Sequence, residues 1–160
     1  MAALFWMQNM TAFDEAWLRE HQGRMAKAKR QLPASFGFTL PYILKAPNVM
    51  LRMHWAERSK YVKELSAHVD RLTTDLPIGA PPLETALVTV TRYCLTELDT
   101  DAVAASCKSL LDVLQPRSER HPHGLGFIVN DNPLHLSLIA RQLKVTKRAE
   151  QRTVVLIERV

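Results

Sequence analysis

The chain reads as an α/β protein: a single domain with a mixed β-sheet flanked by helices, plus an extra helix at the N-terminus. Three observations point there. Runs of strand length rich in β-branched and aromatic residues (36–44, 84–98, 134–145 and 153–160) alternate with stretches whose apolar residues recur at helical spacing. Clusters of Pro, Gly and Asn separate them. The composition, 47% hydrophobic and 23% charged over 160 residues, is that of one ordinary globular domain.

Taken in order, residues 11–31 suit a helix. Thr11 can cap it, Asp14 follows three residues on, and Phe13, Trp17, Leu18 and Met25 give a partial apolar stripe. Its second half is basic, and Leu32-Pro33 ends it. Residues 1–35 are therefore set apart as a helical extension from a main domain of 36–160. Phe36 to Leu44 suits a strand, with Pro41 favouring an edge or a bulge. Ala46-Pro47-Asn48 suits a turn. A helix is expected over 54–72, burying Trp55, Tyr61 or Val62, Leu65, Val69 and Leu72.

Pro77 to Pro82 is a loop. Glu84 to Leu98 is β-rich, and at period two Tyr93, Leu95, Glu97 and Asp99 share a face. A helix over 101–114 follows, stopped by Gln115-Pro116. Residues 117–126 form a polar loop, and Phe127-Ile128-Val129 is a short apolar strand leading to Asn130-Asp131 and a turn at Asn132-Pro133. Leu134 to Val145 alternates, with Leu134, Leu136, Leu138 and Ala140 on one side. A basic turn at 147–151 and a last strand over 153–160 complete a pair that reads as a hairpin.

The formal charge of +5 suggests a polyanionic partner. Cys94 and Cys107 both lie on apolar-patterned segments, as expected of buried free thiols in a reducing compartment. No apolar run approaches the 18 residues of a membrane span, and the start lacks the basic region of a secretory leader. A soluble, cytoplasmic protein is expected.

The chemistry gathers between Glu97 and Asp131. Winding 101–114 at about 100° per residue puts Asp101, Lys108 and Asp112 within roughly 20° of one line. Val103, Cys107, Leu110, Leu111 and Leu114 fall opposite. Two acids two apart (Asp99 and Asp101), a third at Asp131 and a lysine between them suit a magnesium site, because magnesium is a hard ion that takes carboxylate oxygens and substrate phosphate. The spacing is equally that of a helix ion pair between Lys108 and Asp112 and an N-terminal cap at Asp101.

Four pieces of the chain are similar to the RusA-type Holliday junction resolvases of phages and bacteria. TLPYILKAPNVMLRMHWAERSKY (39–61) resembles the family's opening strand, proline turn and Asn-x-x-x-Arg-like segment. LDTDAVAASCKSLLDVL (98–114) resembles its Asp-x-Asp, Lys-x-x-x-Asp helix. FIVNDNP (127–133) resembles its apolar run ending in paired acids, and LIARQLKV with TVVLIERV its closing hairpin. The likeness covers roughly 36–160.

It implies a magnesium-dependent (manganese possible) homodimeric endodeoxyribonuclease that nicks four-way DNA junctions. By position, Asp99, Asp101 and Asp131 match the metal-binding acids, Lys108 the catalytic lysine and Asp112 the acid one turn after it. The chain departs from the pattern at Ala102, where many members have asparagine, and at Asn130, where the first of the paired acids has lost its charge. A non-catalytic or weakly active junction-binding protein of the same fold is the alternative.

Two basic clusters are candidates for the phosphate arms: Arg52, His54, Arg58, Lys60 and Lys63, and Arg141, Lys144, Lys147, Arg148 and Arg152. Basic side chains at a helix N-terminus oppose its dipole, so helix stability does not account for the first cluster. For His54, packing and phosphate contact both remain open. His121-Pro-His123 fits a surface loop better than a zinc site, having no further ligands nearby.

Overall fold

The computed structural model describes residues 31–160, so the expected helix over 11–31 lies outside the described residues. Residues 32–76 and 81–160 form one compact unit. Pro77–Ala80 is a turn closed by the Ala80 N–H on the Pro77 carbonyl at 3.4 Å. The unit is α/β: β1 (Ser35–Leu40), α1 (Pro47–Arg52), α2 (Trp55–Leu72), β2 (Ala86–Cys94), α3 (Thr100–Ser106), α4 (Lys108–Leu114), β3 (Leu136–Lys144), a 3-10 turn (Arg148–Glu150) and β4 (Arg152–Arg159). No described helix is long and apolar enough to cross a membrane.

The strands form one mixed sheet in the order β1-β4-β2-β3. β2 runs parallel to β3 and antiparallel to β4, and β4 runs antiparallel to β1. The expected hairpin of the last two strands is therefore wrong, because β2 lies between them. β2 is buried or half-buried along its whole length, as a central strand must be. It takes β3 on one side, and residues 145–151 carry the chain past its end so that β4 enters on the other.

β1 approaches β4 so closely that a Cβ at Gly37 would lie 2.6 Å from the Val155 carbonyl oxygen. One sheet face packs Phe38, Leu40, Val88, Val90, Val155 and Ile157 against Leu65 and Val69 of α2 and against Val103, Leu110 and Leu114 of α3 and α4, all of them buried. At about 1.5–3 kcal/mol per fully buried side chain, this layer supplies the main drive for folding.

Several boundaries move. The first strand stops at Leu40, before Pro41. The expected turn at 46–48 opens α1 instead, with Pro47 in the first turn, where its missing N–H costs nothing. The single helix expected over 101–114 is two, joined at Cys107, which closes α3 and opens α4. Phe127–Val129 makes only a parallel bridge between Ile128 and Leu83 rather than a strand. Trp55 and Leu72, both expected inside, are 73% and 44% exposed at the two ends of α2, where the neighbouring layer no longer covers them. Leu134, expected on the same side of a strand as Leu136, lies in the turn before β3 and is 81% exposed.

Candidate functional site

The two acid-bearing turns are mounted at opposite ends of β3. Beyond Cys94 the chain leaves β2, and Gln142 of β3 clamps it: the Leu98 N–H donates to Gln142 Oε1 at 2.9 Å, and Gln142 Nε2 donates to the Leu98 carbonyl at 2.6 Å. This sets Asp99 as the N-cap residue of α3, its carbonyl accepting from the Val103 N–H at 3.0 Å. The Asp99 carboxylate makes no capping bond. Asp101 stands in the first turn, where the helix dipole favours a negative charge. Both acids are exposed, and neither forms an ion pair among the described residues.

Asp131 lies just before β3. Its turn is tied by the Asn132 N–H donating to Asn130 Oδ1 at 3.2 Å and by the Leu134 and His135 N–H groups donating to Asn132 Oδ1 at 3.0 and 3.2 Å. Asn130 thus spends its side-chain oxygen on the backbone of its own turn. The six residue steps from Leu136 to Gln142 span about 20 Å of strand, so the two turns are far apart along the sheet.

At the Asp131 end a cluster does form. The Lys108 ammonium bonds the Asp131 carboxylate and lies 2.9 Å from Asp112 Oδ1. That oxygen is shielded from solvent and is held by charge rather than by an aligned hydrogen bond. His121 Nδ1 stands 3.7 Å from it on the other side. Partial burial works against the Lys108 charge, but the Asp131 and Asp112 carboxylates outweigh it and raise the pKa above the usual 10.5. Lys108 is therefore a fixed cation at neutral pH. It can stabilise negative charge, and it cannot act as a general base.

The cluster is positioned by the chain after α4. The last carbonyls of a helix lack partners within it. Here the N–H groups of Leu125, Phe127 and Ile128 donate to the carbonyls of Val113 and Leu114, and that of Gly126 to Gln115, at 2.8–3.1 Å. Gly124 lies so close to this end that a Cβ would fall 2.4 Å from the Gln115 carbonyl oxygen. The Ser66 hydroxyl of α2 donates to the His123 carbonyl at 2.7 Å and pins the loop from below.

The expected convergence of Asp99, Asp101 and Asp131 is absent. Among the described residues no three His, Cys, Asp or Glu side chains stand close enough together to hold a metal ion. As donors, Asp99 and Asp101 suit magnesium, which commonly takes only one or two carboxylates and completes its shell with water and substrate phosphate. Asp131 does not join them, being engaged by Lys108.

Of the first basic cluster, Arg52 ends α1 and His54 caps α2, its Nδ1 accepting from the Ala56 N–H at 3.3 Å. Arg58 donates to the Met50 and Met53 carbonyls at 2.9 and 3.4 Å, fastening α1 to α2. Lys60 stands 3.9 Å from Glu64, and Lys63 is exposed. A groove lined by Arg58, Val62, Lys108 and Asp112 brings this cluster to the lysine.

The second cluster lies on the edge strand and beyond it. Arg141 donates to Thr91 Oγ1 at 3.2 Å, Lys144 ends β3, and Lys147 and Arg148 enter the 3-10 turn. The Arg152 guanidinium stacks 3.9 Å over the Tyr93 ring. Because β2 and β3 are parallel, Lys144 sits beside Cys94, at the Asp99 end of the sheet.

Sequence reading missed Gln142, for which an amide at an inward position of an apolar strand was the available signal. It assigned His121 to a surface loop without foreseeing that Asp112 would stand beside it. Cys107 beside Lys108 is not a nucleophile, since burial pushes its thiol up to about 11. A scan against models of known protein families finds no match, and neither does a search of curated proteins.

Proposed function

We propose that the protein is a structure-specific endodeoxyribonuclease of the RusA type, acting on branched DNA such as a four-way junction. The observation that carries this reading is the Lys108 ammonium, held between Asp112 and Asp131 beside a groove shared with Arg58. A cation fixed in that way is suited to a phosphate whose charge grows during hydrolysis. The order of motifs along the sequence supports the same reading, and so does the basic excess. Asp99 and Asp101 would hold a magnesium or manganese ion at their own end of β3, where it would act as a Lewis acid toward a phosphate of the bound DNA. A two-fold homodimer suits a junction with two equivalent scissile phosphates.

One observation favours a second reading. The separation of Asp131 from the Asp99–Asp101 turn fits a protein of this fold that binds junctions without cutting them. A cleavage assay on a mobile four-way junction, with magnesium or manganese and with EDTA, decides between the two. Metal-dependent paired nicks support the enzyme, and binding without nicks in either metal supports the second reading. No preference for branched over linear DNA would sink both.

A further inference from the structure

We propose that the groove between α2 and the 117–123 loop receives an unpaired nucleotide of the substrate, with its base stacked on Trp55. This rests on the reading of the site as one that handles nucleic acid, and adds to it a contact that distinguishes unpaired from paired DNA.

Trp55 opens α2 and is 73% exposed. An indole is among the largest apolar surfaces a side chain offers, and leaving it in water forgoes that burial. Its start is fixed: His54 caps the helix, and the His54 and Trp55 rings lie with centroids 5.5 Å apart at 44°. The indole borders a groove with Val62 and Pro122 on its apolar side and Arg58, Arg120 and His123 along its walls. This groove shares Arg58, Val62 and Asp112 with the one that reaches Lys108. Trp55 and the lysine therefore flank a common channel.

The charges select the occupant. Arg58 and Arg120 line the two grooves as cations, while Lys108 is shared between Asp112, the one acid lining them, and Asp131. An apolar peptide would gain nothing from those cations, whereas a phosphodiester chain would. A cationic groove with an aromatic platform is how proteins hold single strands, because every base has a face to stack. Bases inside a duplex have both faces covered by their neighbours, so only an unpaired one can use Trp55.

The test uses the full chain carrying Trp6→Phe and Trp17→Phe, which leaves Trp55 as its only indole. Its fluorescence is followed while adding a thymidine oligonucleotide, a junction with unpaired thymidines at the crossover, or a blunt duplex. Quenching by the first two and not by the duplex is expected. Trp55→Ala should weaken oligonucleotide binding about tenfold, with Trp55→Phe keeping most of it. Equal quenching by duplex, or an alanine variant that binds the oligonucleotide as well as its parent, overturns the proposal. So does an alanine variant whose only change is a smaller sedimentation coefficient, which would make the indole a protein contact. Nicking is scored separately: nicks with an indifferent Trp55 remove this subsite alone, and Trp55-dependent binding without nicks removes the nuclease alone.

Discussion

The two ends of β3 carry acids in opposite electrostatic states. At one end Asp99 and Asp101 project from a turn clamped by Gln142, free of cations among the described residues. At the other, Asp131 and Asp112 share a single cation, Lys108. The first end is suited to attract a cation, and the second already holds one. If the protein is a nuclease, substrate phosphate and divalent metal would have separate reception points, set apart by the length of a strand rather than by any loop.

The largest effect expected from that contrast is at Asp101. Asp101→Asn should lower junction nicking by about a hundredfold or more, with junction binding kept or tightened because a negative charge facing phosphate is gone. Nicking rates and gel-shift affinity measured side by side check both halves. Lys108→Met should also abolish nicking, but it should weaken binding instead. That opposite sign on affinity is what separates the two ends, and equal affinity changes in the two variants would erase the distinction.

Smaller effects concern the mounts. Gly124→Ala must push the Gln115 and Pro116 carbonyls aside and should cost about 2 kcal/mol, read as a lower urea midpoint. Gln142→Leu removes both bonds to the Leu98 backbone and should cost about 1–2 kcal/mol. It should depress metal-dependent nicking more than DNA binding, since only the Asp99 end loses its support.

The smallest is a pH effect at Lys108. Because its pKa is raised on folding, its ion pairs contribute fully below 10.5 and are lost as pH rises through the folded value. For a side chain 60% exposed the contribution stays below about 1 kcal/mol. The difference in melting temperature between wild type and Lys108→Met should stay level from neutral pH to about 9 and shrink above the usual lysine value.

Much of the frame was legible from local pattern. Val88 and Val90 in a β-branched run, or Leu65 and Val69 at helical spacing, announce an element and its buried face whatever surrounds them. Lys108 and Asp112 were legible as a pair because four residues on a helix bring them together. The hairpin failed because pairing is not a local property: β3 and β4 are neighbours in sequence, yet the most apolar strand, β2, claims an edge of each. Trp55 failed because period alone cannot tell where a neighbouring layer stops. The acids failed for the same reason, since Asp-x-Asp gives a spacing and no indication that Asp131 would stand at the far end of the sheet.

The sequence by itself determined the α/β class, the apolar faces of the long elements, the basic excess and the Lys108–Asp112 pair, all of which follow from side-chain type and backbone period. Only the tertiary structure decided that β4 inserts beside β2, that Gln142 holds the Asp99 turn, and that Asp131 closes on Lys108 instead of joining Asp99 and Asp101. Those outcomes depend on which surfaces are left for one another once the core is packed, and no window along the chain contains that information.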